Sequence, residues 1–208
     1  MVWKNDQVSK KETEKILEVA NDCLGVEGDF VEMGCYKGDT SLLLAEMLWK
    51  SRGADAVEKS VEKPVKKLWI YDSFEGLPEK GARDESELGV NFQKGELAVG
   101  KREVKERFLR AGLPVPVIKK AWFNELTEVD LPFKIAFAFL DGDLYESIKD
   151  SLRLVGPRMS EGGVIIVHDY NNPALPGVGR AVDEWLREND LKSEIFQSMV
   201  LVRNLAFC

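Results

Sequence analysis

The sequence predicts a doubly wound α/β fold built on a mostly parallel sheet. Three observations carry this. Short apolar runs of strand length recur at residues 30–33, 68–71, 115–118, 135–140 and 163–167. Stretches of helix length separate them, so strand and helix alternate, and near-continuous apolar strands with crossover helices mean a parallel sheet covered on both faces. Two final runs, 195–196 and 199–203, stand too close for a crossover and predict a C-terminal antiparallel hairpin.

In chain order, residues 9–24 are an amphipathic helix with Ile16, Leu17, Ala20 and Leu24 as its apolar stripe and Gly25 as its stop. The first strand, 30–33, runs into Gly34 and Gly38, and a helix over 40–51 opens immediately. Residues 52–67 are charged, broken by Gly53 and Pro64, and fit an exposed helix extension or loop. The second strand follows. Residues 73–97 are polar and punctuated by Gly76, Pro78, Gly81, Gly89 and Gly95. A loop this long after a strand's carboxyl end is usually functional, and its place suggests a lid. Residues 99–111 form a charged amphipathic helix closed by Gly112 and Pro114, 122–129 a loop or short helix, and 145–155 and 178–189 two further helices. The 208 residues fit one domain, 1–208, with 1–27 as an N-terminal helical segment.

The net charge of −7 argues against a nucleic-acid or anionic-membrane partner. The basic clusters at Lys101, Arg102, Arg107, Arg110, Lys119 and Lys120 fit solvated faces. The opening Met-Val-Trp-Lys-Asn-Asp lacks the layout of a signal peptide, and no apolar run approaches the roughly 20 residues of a membrane helix, so the expectation is a cytoplasmic protein. Cys23, Cys35 and Cys208 are odd in number and far apart, which excludes a disulfide framework or a C-x-x-C zinc site. Cys35 is expected to pack, not to act as a nucleophile.

The chemistry collects where strands end. The first ends in Glu32, the second in Asp72, the fourth in Asp141 and the fifth in His168-Asp169. In an open α/β sheet, ligands bind outside the carboxyl ends of the strands, at the switch in strand order. The glycines of the first loop are spaced G-x-x-x-G and follow a carboxylate. A dinucleotide site wants G-x-G-x-x-G, and Glu32 would repel a pyrophosphate. It suits an ammonium group, while the helix N-terminus suits a carboxylate and Asp72 suits ribose hydroxyls. Ammonium, carboxylate and ribose together describe S-adenosylmethionine.

Several segments carry a more specific resemblance. Phe-Val-Glu-Met-Gly-Cys-Tyr-Lys-Gly-Asp (30–39), Tyr71-Asp72-Ser73-Phe74-Glu75-Gly76-Leu77-Pro78, Leu140-Asp141-Gly142-Asp143-Leu144-Tyr145-Glu146-Ser147, the run 162–170 and Arg180-Ala181-Val182-Asp183-Glu184 follow one another as in class I methyltransferases. Within that class the chain resembles the macrocin O-methyltransferase (TylF-type) family over residues 28 to 187. The resemblance implies a Rossmann-like, seven-stranded methyltransferase sheet and an O-methyltransferase. Glu32 and the backbone of Gly34, Tyr36 and Gly38 would hold the methionine part of the donor, with Ser41 at its carboxylate. Asp72 would hold the ribose, Ser73 and Trp122 would stand by the adenosine, and Asp141 would border the donor. Asp141 and Asp169 would ligate a divalent metal, magnesium by family habit. The acceptor would be a hydroxyl of a small molecule, a sugar moiety first and a phenol or catechol second, and the assembly a homodimer. A non-catalytic S-adenosylmethionine-binding protein is the alternative outside enzymes.

Two departures matter. Where the family usually has two acids after strand five, this chain has His168-Asp169. An imidazole suits manganese or another softer metal better than magnesium. His168 is a ligand, a general base or a structural residue. Asp143 is a second candidate base or outer partner of the metal, or the cap of the helix from 145. The segment before the first motif is also short, so the acceptor pocket is less closed, or is built from 73–97 or a partner subunit. Tyr145, Tyr170, Asn171 and Asn172 are placed to line that pocket or to serve packing and turns.

Overall fold

A computed structural model describes residues 7–52, 66–88 and 92–203. The chain start, residues 53–65 with Gly53 and Pro64, Gly89 and Cys208 lie outside the described residues, and with them most of the expectation for 52–67. Among the described residues the seven strands are β1 (Asp29–Met33), β2 (Leu68–Asp72), β3 (Val117–Lys120), β4 (Ile135–Leu140), β5 (Met159–Val167), β6 (Ser193–Phe196) and β7 (Met199–Val202). They form one sheet in the order β3-β2-β1-β4-β5-β7-β6. The first five are parallel, and β7 pairs antiparallel with both β5 and β6. Strand order reverses between β1 and β4, so the binding crevice opens there.

Among the described residues, five α-helices cover the sheet: α1 (Lys10–Asp22), α2 (Asp39–Lys50), α3 (Lys101–Arg110), α4 (Tyr145–Val155) and α5 (Pro176–Glu188). Side chains alternate along each strand, so neighbouring residues serve opposite cores. Phe30, Ile70, Phe137, Phe139, Val164 and Ile166 pack with Ile16 and Val19 of α1, Leu44 and Leu48 of α2, and Val104 and Phe108 of α3. Val31, Met33, Tyr71, Ala138, Leu140, Ile165 and Val167 pack with Ile148 and Leu152 of α4 and Val178 and Val182 of α5.

Differences from the sequence expectation have local causes. β3 starts two residues late because Pro116 has no N–H to give the ladder, and pairing with β2 begins at Val117 opposite Trp69. β5 starts early, passing through Gly162 at φ 78° before its register with β4 resumes. The first helix ends at Asp22 and tightens into a 3-10 turn over Cys23–Gly25, and its buried face holds Glu12, Thr13 and Val19 besides Ile16 and Ala20. Residues 122–129 resolve into two 3-10 turns.

The sheet's hydrogen bonding runs one residue past its carboxyl edge. Gly34 N–H donates to Tyr71 O (2.9 Å), Asp141 N–H to Met33 O (2.8 Å), His168 N–H to Leu140 O (3.0 Å) and Ala121 N–H to Asp72 O (3.0 Å). Loops after five adjacent strands are thereby fused into one platform. Gly34, at φ 89°, is needed there, because a Cβ would lie 2.0 Å from Asp141 O.

Candidate active site

The crevice above this platform holds about 910 Å³, open solvent at its mouth included, which is ample for a nucleoside-sized donor and a small acceptor. Glu32, Gly34, Tyr36, Asp72, Ser73, Trp122, Asp141, Asp143, His168 and Asp169 all line it. Gly38 and Ser41 do not. Gly38, at φ 78°, turns the chain into α2, and its N–H donates to Cys35 O (2.6 Å). Ser41, expected at a ligand carboxylate, is fully buried and its hydroxyl donates to Glu32 Oε2.

Glu32 is 1% exposed. Burial raises its carboxyl to about 8, against the opposing Ser41 bond and with help from Asp141, Asp72 and Asp39. Asp72 organises the glycine loop: Oδ2 accepts Cys35 N–H (2.8 Å) and Tyr36 N–H (3.3 Å), and Oδ1 accepts Phe74 N–H (2.7 Å). Oδ1 keeps a lone pair for a ligand hydroxyl. Ser73 Oγ donates to Gly76 O and accepts Glu75 N–H, a tight turn that starts the long loop. Burial, then Asp72 and Glu32, raise the Cys35 thiol well above its ordinary value, which keeps it from acting as a thiolate.

Arg107 corrects an expectation. It belongs to no solvated face, but donates to Lys37 O and Asp39 Oδ1, bracing the glycine loop from α3. Lys119 likewise pairs with Asp130.

On the other side of the switch point, Asp141, His168 and Asp169 each offer one ligand atom, all within 4.8 Å of one another. His168 Nδ1 lies 3.1 Å from Asp141 Oδ1 and 3.2 Å from Asp169 Oδ2. Burial opposes its charged form, but Asp141, Asp169 and Glu12 outweigh that and raise its pKa. Asp169 sits at φ 58°, and its Oδ1 accepts from Asn172 Nδ2 (2.9 Å). Two carboxylates and an imidazole fit a divalent cation of the manganese-to-zinc series better than magnesium.

Asp143 sits at φ 60°, in a three-residue turn closed by Leu144 N–H on Gly142 O (2.6 Å). Left-handed backbone at Asp143 and Asp169 costs about 1–3 kcal/mol each, the kind of strain that clusters at functional sites. Burial, then the charges of Asp141 and Asp169, raise the Asp143 carboxyl well above its usual range. Asp143 does not cap α4. Tyr145 N–H donates instead to Asp84 Oδ1 (2.7 Å), from the 73–97 loop. Asp84 is buried, and its Oδ2 accepts Gly81 N–H (3.1 Å). Arg83 pairs with Glu184, and Ser86 Oγ donates to Pro173 O (2.7 Å). At its neck the loop is closed by Leu77 N–H on Glu96 O and Gly95 N–H on Leu77 O. Gly76, Leu77, Pro78 and Leu97 from it line the crevice. Tyr145 and Tyr170 stand outside the lining, with hydroxyls donating to Glu184 and Asp183.

The sequence reading missed Asp84, Glu12 and Arg107. Asp84 and Arg107 look like ordinary charges on a loop and a helix. Glu12 carried one signal, Ser9-x-x-Glu12 at a helix start, which marks a capping box but not a buried carboxylate.

The strand order is that of the class I methyltransferases. The family described as Macrocin-O-methyltransferase (TylF) matches residues 8–201, and the chain belongs to it. Over 151 residues it is 35% identical to the 8-demethyl-8-(2,3-dimethoxy-alpha-L-rhamnosyl)-tetracenomycin-C 4'-O-methyltransferase of Streptomyces olivaceus, covering 70% of this chain and 54% of that one. It is 31% identical to the demethyldecarbamoylnovobiocin O-methyltransferase of Streptomyces niveus, over 89% of this chain and 69% of that one. The chain thus spans between half and about two thirds of the length of these relatives. Among solved structures, the O-methyltransferase NovP superposes with a TM-score of 0.77 at 29% identity, over 93% of this chain and 79% of that one. No helix among the described residues is long and apolar enough to cross a membrane.

Proposed function

We propose that this protein is an S-adenosylmethionine-dependent, divalent-metal-assisted O-methyltransferase acting on a hydroxyl of a small-molecule glycoside. The observation that carries the reading is the convergence of Glu32 and Asp72 on one side of the switch point with Asp141, His168 and Asp169 on the other. The sugar acceptor rests on the relative from Streptomyces olivaceus, whose name gives a dimethoxy-rhamnosyl tetracenomycin; the relative from Streptomyces niveus is named for demethyldecarbamoylnovobiocin. The resemblance also supports a cytoplasmic homodimer.

S-adenosylmethionine, when bound, supplies the methyl group as a sulfonium. Asp141, His168 and Asp169 would hold the metal, which supplies acidity to an acceptor hydroxyl. Glu32 meets the donor's ammonium once its proton leaves. Asp72 Oδ1 takes a ribose hydroxyl, and Trp122 and Ser73 wall the nucleoside. Asp143, once ionised, would take the proton of the acceptor hydroxyl at a carboxylate oxygen. Methyl transfer needs little covalent help from protein, so most of the rate comes from holding two reactants in line.

Titration calorimetry with S-adenosylmethionine, alone and with magnesium or manganese, followed by a transfer screen over glycosides, sugar nucleotides and phenols, tests the reading. Donor binding, a metal-dependent turnover and a glycoside acceptor are expected. Donor binding with no metal effect would sink the metal-assisted part, and phenol-only turnover the sugar assignment.

A further inference from the structure

His168 is the sole histidine of the chain and is 4% exposed. Its Nδ1 faces Asp141 and Asp169. Its Nε2, on the far side of the ring, is buried and has no hydrogen-bond partner. A carboxylate lies on that side: Glu12 Oε2 of α1, 3.8 Å away and 5% exposed as a residue.

Glu12 is held from both ends of the chain. Oε2 accepts Ser9 N–H (3.1 Å), completing the capping box of α1. Oε1 accepts Ser198 N–H (3.1 Å) and Ser198 Oγ–H (2.5 Å), from the turn between β6 and β7. A capping-box glutamate needs only the Ser9 contact to do its work on the helix. Burial against an imidazole and a second anchor at Ser198 go beyond it. The anchors aim Oε2 at the one nitrogen of His168 that nothing else serves.

We propose that Glu12 is the positioning residue for His168, receiving Nε2–H and so presenting the Nδ1 lone pair to the gap between Asp141 and Asp169. A ligating imidazole is oriented and fixed in one tautomer by the partner of its other nitrogen. α1 and the β6–β7 turn thereby become part of the metal site, although neither contributes a ligand. The proposal rests on the metal-assisted reading above and deepens it.

Because His168 is the only histidine, an untagged protein labelled with ¹⁵N-histidine reports this one ring. With zinc added, the spectrum is expected to show Nε2 protonated and Nδ1 shifted by the metal. Glu12→Gln, which keeps an acceptor for Ser198, and Glu12→Ala are expected to mix the tautomers. Manganese affinity, measured by calorimetry without donor or acceptor, should fall about 10–100-fold in Glu12→Ala. In a His168→Asp background, where no second nitrogen exists, the same Glu12 substitutions should leave manganese affinity unchanged. An unaltered tautomer and affinity in both variants would overturn the proposal, as would an equal loss in the His168→Asp background, which would make Glu12 merely structural. A parent protein that binds no divalent ion would overturn the metal reading and this proposal together. Metal binding that ignores Glu12 would overturn this proposal alone.

Discussion

The two sides of the crevice are built by different means. The donor side, around β1 and β2, is made mostly of backbone. Gly34 and Gly38 supply left-handed turns, Asp72 gathers the N–H groups of Cys35, Tyr36 and Phe74, and Ser41 lies close by in sequence under Glu32. The acceptor side, after β4 and β5, is made of side chains drawn from the whole chain. Asp84 caps α4 from the long loop, Glu12 stands behind His168 from the first helix, and Asn172 steadies Asp169. A site of backbone is set by a short contiguous string. A site of side chains depends on which distant segments the fold brings together.

The largest effect that tests this contrast is expected at Asp143. Asp143→Asn should lower kcat by about 10²–10⁴-fold, the usual contribution of a positioned base, while the dissociation constant of S-adenosylmethionine stays unchanged. Weakened donor binding would show that the two sides are not separable.

Next is Gly34, where the sides touch. Gly34→Ala forces a Cβ into Asp141 O at a positive φ, and should cost on the order of 3–5 kcal/mol from overpacking and strain together. A urea midpoint close to that of the parent would mean that the platform yields easily.

The smallest effect, counted per pH unit, belongs to Glu32. Burial holds the proton on its carboxyl up to about pH 8 in the folded chain, well above the ordinary carboxyl value of 4.5, so the folded state binds the extra proton. This contribution to stability is full below pH 4.5 and is lost as pH rises through about 8. Binding of an ammonium favours the anion, so donor affinity should rise by up to about tenfold per pH unit over that window and flatten above it. Glu32→Gln should remove the slope. A flat profile in the parent would place the ammonium elsewhere.

This contrast also explains what was legible in the sequence. The alternation of apolar strands and helix-length stretches sufficed for the sheet, because burial on both faces leaves a local pattern. Glu32, Asp72, Asp141, His168 and Asp169 were legible because a strand's last residue announces its place at the crevice. Ser41 misled, since a helix start is a plausible anion site and only the structure shows its hydroxyl turned to Glu32. Asp143 misled as a cap, because Asp84 from a distant loop holds that position. No local string signals that a glutamate near the N-terminus will meet a histidine of the fifth strand's loop.

The long loop's anchoring has a consequence for how it can move. Leu77 zips its neck to Gly95 and Glu96, and Asp84 pins its middle to α4. With neck and middle both held, the stretch from Leu77 to Asp84 can leave the crevice only by breaking the neck bonds and uncovering the first N–H of α4, so any swing of this segment is coupled to the helix that follows β4.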